Sequence, residues 1–220
     1  MARIIPVDPA NPPEEVIAQA ARIMEEGEVV VFPTTGLYGL GADALNPYAI
    51  ARIFQVKGRP ERKPLLVLVN SLDQVEPLVR EIPPDGQILM EKLWPGGITL
   101  VFWASGLVPP SLCGGTGKIG IRMAAHPVAR ALVAEFGRPI TGTSANLSGD
   151  PGVSNFPEMS RDVLERVSMV LDAGKLAGGT GSTVVDMTAK PPVVLRQGAV
   201  SEEAIARALS SNQSHNLNDF

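Results

Sequence analysis

A chain of 220 residues with 45% apolar side chains can bury a substantial core, and about 150 residues per domain makes one large domain the first expectation. Its formal net charge of −4 argues against gripping nucleic acid over a whole surface and leaves room for a local basic pocket. Cys113 alone makes neither a disulfide framework nor a multi-cysteine zinc site. No apolar run nears the ~18 residues of a membrane span, and the N-terminus lacks a signal-peptide core, so a soluble cytoplasmic protein is predicted.

In chain order, Arg3 to Val7 reads as a strand. A helix follows, with Asn11 as its cap, Pro12 and Pro13 in its first turn and Gly27 at its end. Val16, Ala20, Ile23 and Met24 form its apolar stripe. Residues 29–32 are a short buried strand, and residues 33–41 a loop. Asn46 and Pro47 open a second helix running to about Val56. Leu65 to Val69 is a strand, and Ser71 with Gln74 suggests a capping box for another helix. A helix over 86–93, strands over 98–103 and 119–122, and a helix over 127–136 closed by Gly137 come next. Residues 142–152 form a polar loop and 157–166 a helix. Strands cover 167–171, 183–187 and 193–195. Ser201 caps a last helix, and the polar stretch 210–220 is expected to be a disordered tail. The alternation predicts an α/β fold, a mixed sheet with helices packed on it, as a single domain over residues 1–209.

The chain has neither a GxxxxGK[ST] phosphate loop nor a GxGxxG turn opening a helix. Its histidines are His126 and His215. His126 lies beside Pro127 and reads as a helix-entry residue; Cys113 reads as an ordinary loop residue. What stands out is a set of small-residue loops after strands. Thr34 to Gly41 combines three glycines with the hydroxyls of Thr34 and Tyr38, and fits either a tight turn or a ligand loop. Lys57, Arg59, Arg62 and Lys63 fall within seven residues, stiffened by Pro60 and Pro64. Cations so held suit a polyphosphate, although a helix C-terminus also favours them. Thr141 to Gly149 is dense in short hydrogen-bonding side chains, and Gly178 to Thr183 could form an anion-binding nest. Arg122 and Arg196 end short apolar strands, where a charge must be paired or bind an anion.

Eight ordered blocks then carry a resemblance. They are Phe32-Pro33-Thr34 with Tyr38-Gly39-Leu40-Gly41; Lys57-Gly58-Arg59-Pro60 with Lys63-Pro64-Leu65; Leu93-Trp94-Pro95-Gly96 with Thr99; Ile121-Arg122-Met123; His126-Pro127; Thr143 to Gly149; Ser182 to Asp186; and Leu195-Arg196-Gln197-Gly198. In them the chain resembles the YrdC/TsaC family of L-threonylcarbamoyladenylate synthases, from about Ile4 to Leu209, in its short single-domain form. The resemblance implies a twisted open sheet with a deep concave basic face. It also implies condensation of L-threonine, bicarbonate or CO2 and ATP into threonylcarbamoyl-AMP and pyrophosphate, usually with Mg²⁺. Partner proteins would pass the threonylcarbamoyl group to tRNA, with possible direct RNA contact and no membrane. By the same resemblance, Lys57 and Arg59 would serve catalysis. Lys57, Arg59, Ser144, Asn146 and Arg196 would hold ATP. Thr34, Tyr38, Arg122, Thr143 and Ser182 would hold threonine or its carbamate.

Four positions depart from the family pattern. Thr35 and Gly36 stand where Glu-Thr is usual, Gly181 where Glu is usual, and Leu68 where many members carry a histidine. Two alternatives to the synthase therefore stand beside it: an RNA-binding module, and a nucleotide-binding paralogue with a lost or changed amino-acid substrate. Aromatic side chains at 5% argue against the first.

Overall fold

A computed structural model describes residues 2–210. Eleven strands and six α-helices alternate in it, and the strands form two mixed sheets. The first sheet orders β1 (Arg3–Pro6), β9 (Met169–Asp172), β2 (Val30–Pro33), β3 (Tyr38–Gly41) and β8 (Thr143–Ser144). The second orders β11 (Val193–Arg196), β10 (Thr183–Asp186), β5 (Ile98–Trp103), β6 (Lys118–Met123), β4 (Leu66–Val69) and β7 (Ile140–Thr141). The chain steps from one sheet to the other at Gly142, between β7 and β8. A Cβ there would lie 2.6 Å from Leu68 Cγ, so only glycine lets Leu68 fill that corner.

The helices are α1 (Glu14–Glu25), α2 (Pro47–Lys57), α3 (Pro84–Leu93), α4 (Pro127–Phe136), α5 (Arg161–Leu164) and α6 (Glu202–Ser210). Helices α1 and α4 pack on each other and on β2, burying Ala20, Met24, Val128 and Leu132. Helices α2, α3, α5 and α6 enclose the larger core, centred on Ile50, Ile53, Leu89, Leu100 and Ile121. No helix among the described residues is long and apolar enough to cross a membrane.

Local signals explain most boundaries. Asn46 accepts from Tyr48 N at 2.9 Å and caps α2, with Pro47 at its first position. Gly58, at φ 56°, ends it in the left-handed region that favours glycine. His126 Nδ1 accepts from Val128 N at 3.3 Å and caps α4, as a helix-entry residue should. Ser201 likewise accepts from Ala204 N before α6.

Four expectations are corrected. Asn11 does not cap α1. Asp8 instead turns the chain by accepting from the amides of Ala10 and Asn11, and Pro13, in an extended conformation, precedes the helix. The expected loop 33–41 is half strand: β2 and β3 make an antiparallel hairpin, because Gly39 and Gly41 leave room for the Phe32 ring, 2.9 Å from a Cβ built at Gly41. No α-helix follows Ser71. Its side chain caps nothing, Pro77 interrupts, and two 3-10 turns (Leu72–Gln74 and Glu76–Leu78) stand there. The helix expected over 157–166 shrinks to α5, capped by Ser160 after a 3-10 turn at Phe156–Glu158. The tail from 211 to 220 lies outside the described residues.

Candidate active site

A cleft of about 1020 Å³ runs across the face of β5, β6 and β10, walled by the 34–39 hairpin, the 142–152 loop and the 177–182 loop. Strand alternation decides what faces it. Thr99 and Val101 of β5, Lys118, Gly120 and Arg122 of β6, and Ser182, Val184 and Asp186 on and beside β10 line it. Ile98, Leu100, Phe102, Ile119 and Ile121 turn into the core.

The cleft is locally cationic in an acidic chain. Arg59, Lys118, Arg122 and Arg196 line it, against Asp150 and Asp186. Asp186 is neutralised by Lys118 at 2.8 Å, which with the Thr188 contacts holds its carboxyl below the usual range despite burial. Arg122 makes no hydrogen bond or ion pair among the described residues, and its Nε is shut from solvent without a partner. Burial, then the charge of Arg196, pushes its pKa down to about 10, so it stays cationic at neutral pH. A half-buried cation on a cleft wall with no acid paired to it is a site for an anion.

Arg196 is aimed by β10. Its Nη2 donates to Ser182 O at 2.8 Å and Ser182 Oγ at 3.3 Å. Ser182 Oγ lies 2.7 Å from Thr99 Oγ1. Thr183 Oγ1 donates to Val200 O at 2.6 Å and accepts from Gly198 N and Val200 N, pinning the segment after Arg196. Only glycine fits at 198, where a Cβ would lie 2.4 Å from Ser182 C.

The other predicted residues divide. Thr34 lines the cleft, but its hydroxyl closes the hairpin on Leu37 O at 2.6 Å. Thr143 lines it with no side-chain hydrogen bond among the described residues. Tyr38 also lines it, but its hydroxyl is spent at the end of β9, outside the lining. It donates to Gly174 O at 2.7 Å and accepts from Ala173 N at 3.0 Å. Burial and the nearby Asp172 carboxylate push that phenol well above its ordinary pKa. Arg59 donates to Pro64 O at 2.8 Å and leaves its buried Nε without a partner; burial lowers its pKa. Ser144 and Asn146 line the cleft and bond to each other through Ser144 Oγ and Asn146 Oδ1. Lys57 is not in the lining. It is 2% exposed and lies beneath Ser144 and Asn146.

One of the departures, Gly36, lies where two loops meet. Gly178 N donates to Gly36 O at 2.9 Å, so the two glycine loops clasp through their backbones. Leu68, which stands for a histidine, is fully buried against the Gly142 corner, away from the cleft lining. Sequence reasoning gave no role to Thr99, Lys118, Asp150 or Asp186. The alternation along β5, β6 and β10 was the available signal, but it needs the sheet order to say which face is concave.

For a metal, the lining offers the Asp150 carboxylate and the Ser144 hydroxyl, and no group of three acidic, histidine or cysteine side chains gathers among the described residues. Such a donor set fits a Mg²⁺ that brings most of its ligands on a bound triphosphate and in water.

Comparison with known proteins places this geometry. A family model named Sua5_yciO_yrdC, described as "Telomere recombination", matches residues 22–198. A threonylcarbamoyl-AMP synthase of Pyrococcus abyssi is 39% identical over 196 residues, 89% of this chain and 58% of that protein. One of Bacillus subtilis is 40% identical over 190 residues, 86% of this chain and 55% of that protein. A crystal structure of P. abyssi Sua5 complexed with L-threonine superposes at TM-score 0.89 and 39% identity, covering 94% of this chain and 60% of that one. The chain thus spans little more than half the length of these relatives. Over that length both sequence and fold agree, and the chain belongs to the Sua5/YciO/YrdC family.

Proposed function

We propose that this chain is a threonylcarbamoyl-AMP synthase, with residues 1–209 as its catalytic unit. The observation that carries the reading is the pair Arg122 and Arg196, close enough for each charge to be felt by the other, in a cleft whose lining also holds the hydroxyls of Thr99, Thr143, Ser144 and Ser182 and the glycines of two loops. The names of the relatives point the same way.

The chemistry asks little of a protein base. The amine of threonine adds to CO2 and releases a proton, giving a carbamate. A carbamate oxygen then forms a bond to the α-phosphorus of ATP as the bond to pyrophosphate breaks. The nucleophile is already anionic, so the barrier lies in bringing two anions together and holding them in line. Arg122, half-buried and without an ion-pair partner among the described residues, takes the threonine carboxylate. Thr34, Thr143 and Ser182 border the polar pocket for the rest of threonine, and Tyr38 shapes its wall. Arg59 and Arg196 receive the triphosphate, against the wall that Ser144 and Asn146 shape. Mg²⁺, held on Asp150 and the phosphates, would supply further neutralisation of the leaving pyrophosphate. The product would pass to proteins that modify tRNA in the cytoplasm, a handover that needs no fixed RNA groove on this chain.

A dropout assay tests the reading. Protein, ATP, Mg²⁺, bicarbonate and L-threonine are expected to release pyrophosphate and form a new adenylate. Omitting threonine or bicarbonate, or replacing threonine with glycine, is expected to abolish both. ATP binding without threonine-dependent turnover would favour the paralogue with another amino-acid substrate.

A further inference from the structure

We infer that Lys57 is a positioning residue, a buried clamp that holds the 144–148 turn against the end of α2, and does not touch the nucleotide phosphates. The inference deepens the proposed synthase reading and rests on it for the identity of the ligand.

The geometry is specific. Lys57 is the last residue of α2, and Gly58 turns the chain so that Arg59 faces the cleft while Lys57 faces inward. The Lys57 ammonium donates to Ser144 O, to Asn146 O at 2.9 Å and to Asn146 Oδ1 at 3.3 Å. An ammonium has three protons, so three acceptors on one turn satisfy it completely. The backbone joins in: Ser148 N donates to Lys57 O at 2.8 Å. Lys57 thus holds residues 144, 146 and 148 at once, from a position 2% exposed. The far side of that turn is the cleft wall carrying the Ser144 hydroxyl and the Asn146 side chain. Asn146 is spent in the same way, its Nδ2 donating to Leu147 O at 2.8 Å and Asp150 O at 2.7 Å. A phosphate reaching Lys57 would have to break the lattice that shapes its own binding wall. Arg59, two residues on, lies in the lining and supplies the charge that Lys57 does not.

Three readouts test this. In the unmodified protein, amine acetylation mapped by mass spectrometry is expected to label Lys57 at least about tenfold more slowly than the exposed Lys63 and Lys175, with or without ATP. Labelling of Lys57 as fast as Lys63, with protection by ATP, would overturn the inference, and this arm needs no variant to fold. In Lys57→Met, amide exchange over residues 144–148 is expected to accelerate about tenfold while β5 stays protected. Unchanged exchange there would also overturn it. In the same variant, the dissociation constants of AMP, ADP and ATP are expected to rise by one common factor, about tenfold. In Arg59→Met the loss is expected to grow with the number of phosphates. A loss in Lys57→Met that grew from AMP to ATP would show direct phosphate contact. If the unmodified protein bound no nucleotide at all, the synthase reading would fall, and the first two readouts would still judge the clamp.

Discussion

The carbonyl of Gly36 accepts the backbone N–H of Gly178 at 2.9 Å, and a Cβ on Gly36 would lie 2.2 Å from Gly178 O. Two walls of the cleft therefore meet where the chain departs from its family's pattern. Gly36→Ala is expected to force the loop around Gly178 outward, away from Arg196. Overpacking of this kind costs about 1–3 kcal/mol. We expect a lower melting temperature and at least about a tenfold loss of kcat/KM for threonine. Wild-type kinetics in Gly36→Ala would show that the clasp is not required for the reaction.

Arg122 supplies a cation without an ion-pair partner among the described residues to the lining of the cleft. Removing a charged hydrogen-bond partner of this kind costs about 1.5–3 kcal/mol, or about 10- to 150-fold. In Arg122→Ala the KM for threonine is expected to rise by that factor, with a much smaller change for ATP. The fold should hold or gain stability, because a desolvated charge with no partner leaves the interior. Steady-state kinetics with each substrate varied in turn decides it, and a selective loss for ATP would reassign Arg122 to the phosphates.

Thr183 Oγ1 carries three hydrogen bonds at a fully buried position. Thr183→Val keeps the shape and strands the amides of Gly198 and Val200. Each orphaned group costs about 1–3 kcal/mol. Thermal denaturation is expected to show a loss of at least about 2 kcal/mol, with ATP affinity falling as Arg196 loses its support. A variant as stable as the parent would mean that water or a backbone shift replaces the hydroxyl.

His126 gives a pH signature. Its neutral Nδ1 caps α4, and burial lowers its pKa below the ordinary value of about 6.5. The folded protein thus binds this proton less readily than the unfolded chain. The contribution is fully present above about pH 6.5 and is lost as the pH falls from there through the lowered value. Protonation removes the acceptor and places a positive charge at a helix N-terminus, where the dipole opposes it. His126→Asn keeps a capping oxygen and does not titrate. Denaturant melts between pH 5 and 7.5 are expected to fall more steeply for the parent than for this variant; parallel curves would remove His126 from the account.

Some features were legible before any tertiary contact was known. Caps and stops written into adjacent residues, such as Asn46-Pro47, Gly58, His126-Pro127 and Ser201, marked α2, α4 and α6 well. Apolar runs marked the strands, and the short motifs marked every wall of the cleft. Where a distant partner decided the outcome, local reading failed. β3 looked like a loop because its glycines are strand-breaking on their own, and only the Phe32 ring lying over them makes them fit. The helix expected after Ser71 needed its neighbours to bury a face, and Pro77 denied it.

By itself the sequence determined the alternation of elements, the family, and a cleft rich in hydroxyls, glycine and arginine. These follow from periodicity and from residue chemistry, which each position carries with it. Tertiary structure alone decided which of those side chains remain available to a ligand. Lys57 and Arg59 are two residues apart and carry the same charge, yet Gly58 turns one into the protein and the other into the cleft. Whether a cation is spent or free depends on the carbonyls that surround it, and those come from a loop almost ninety positions away in the chain.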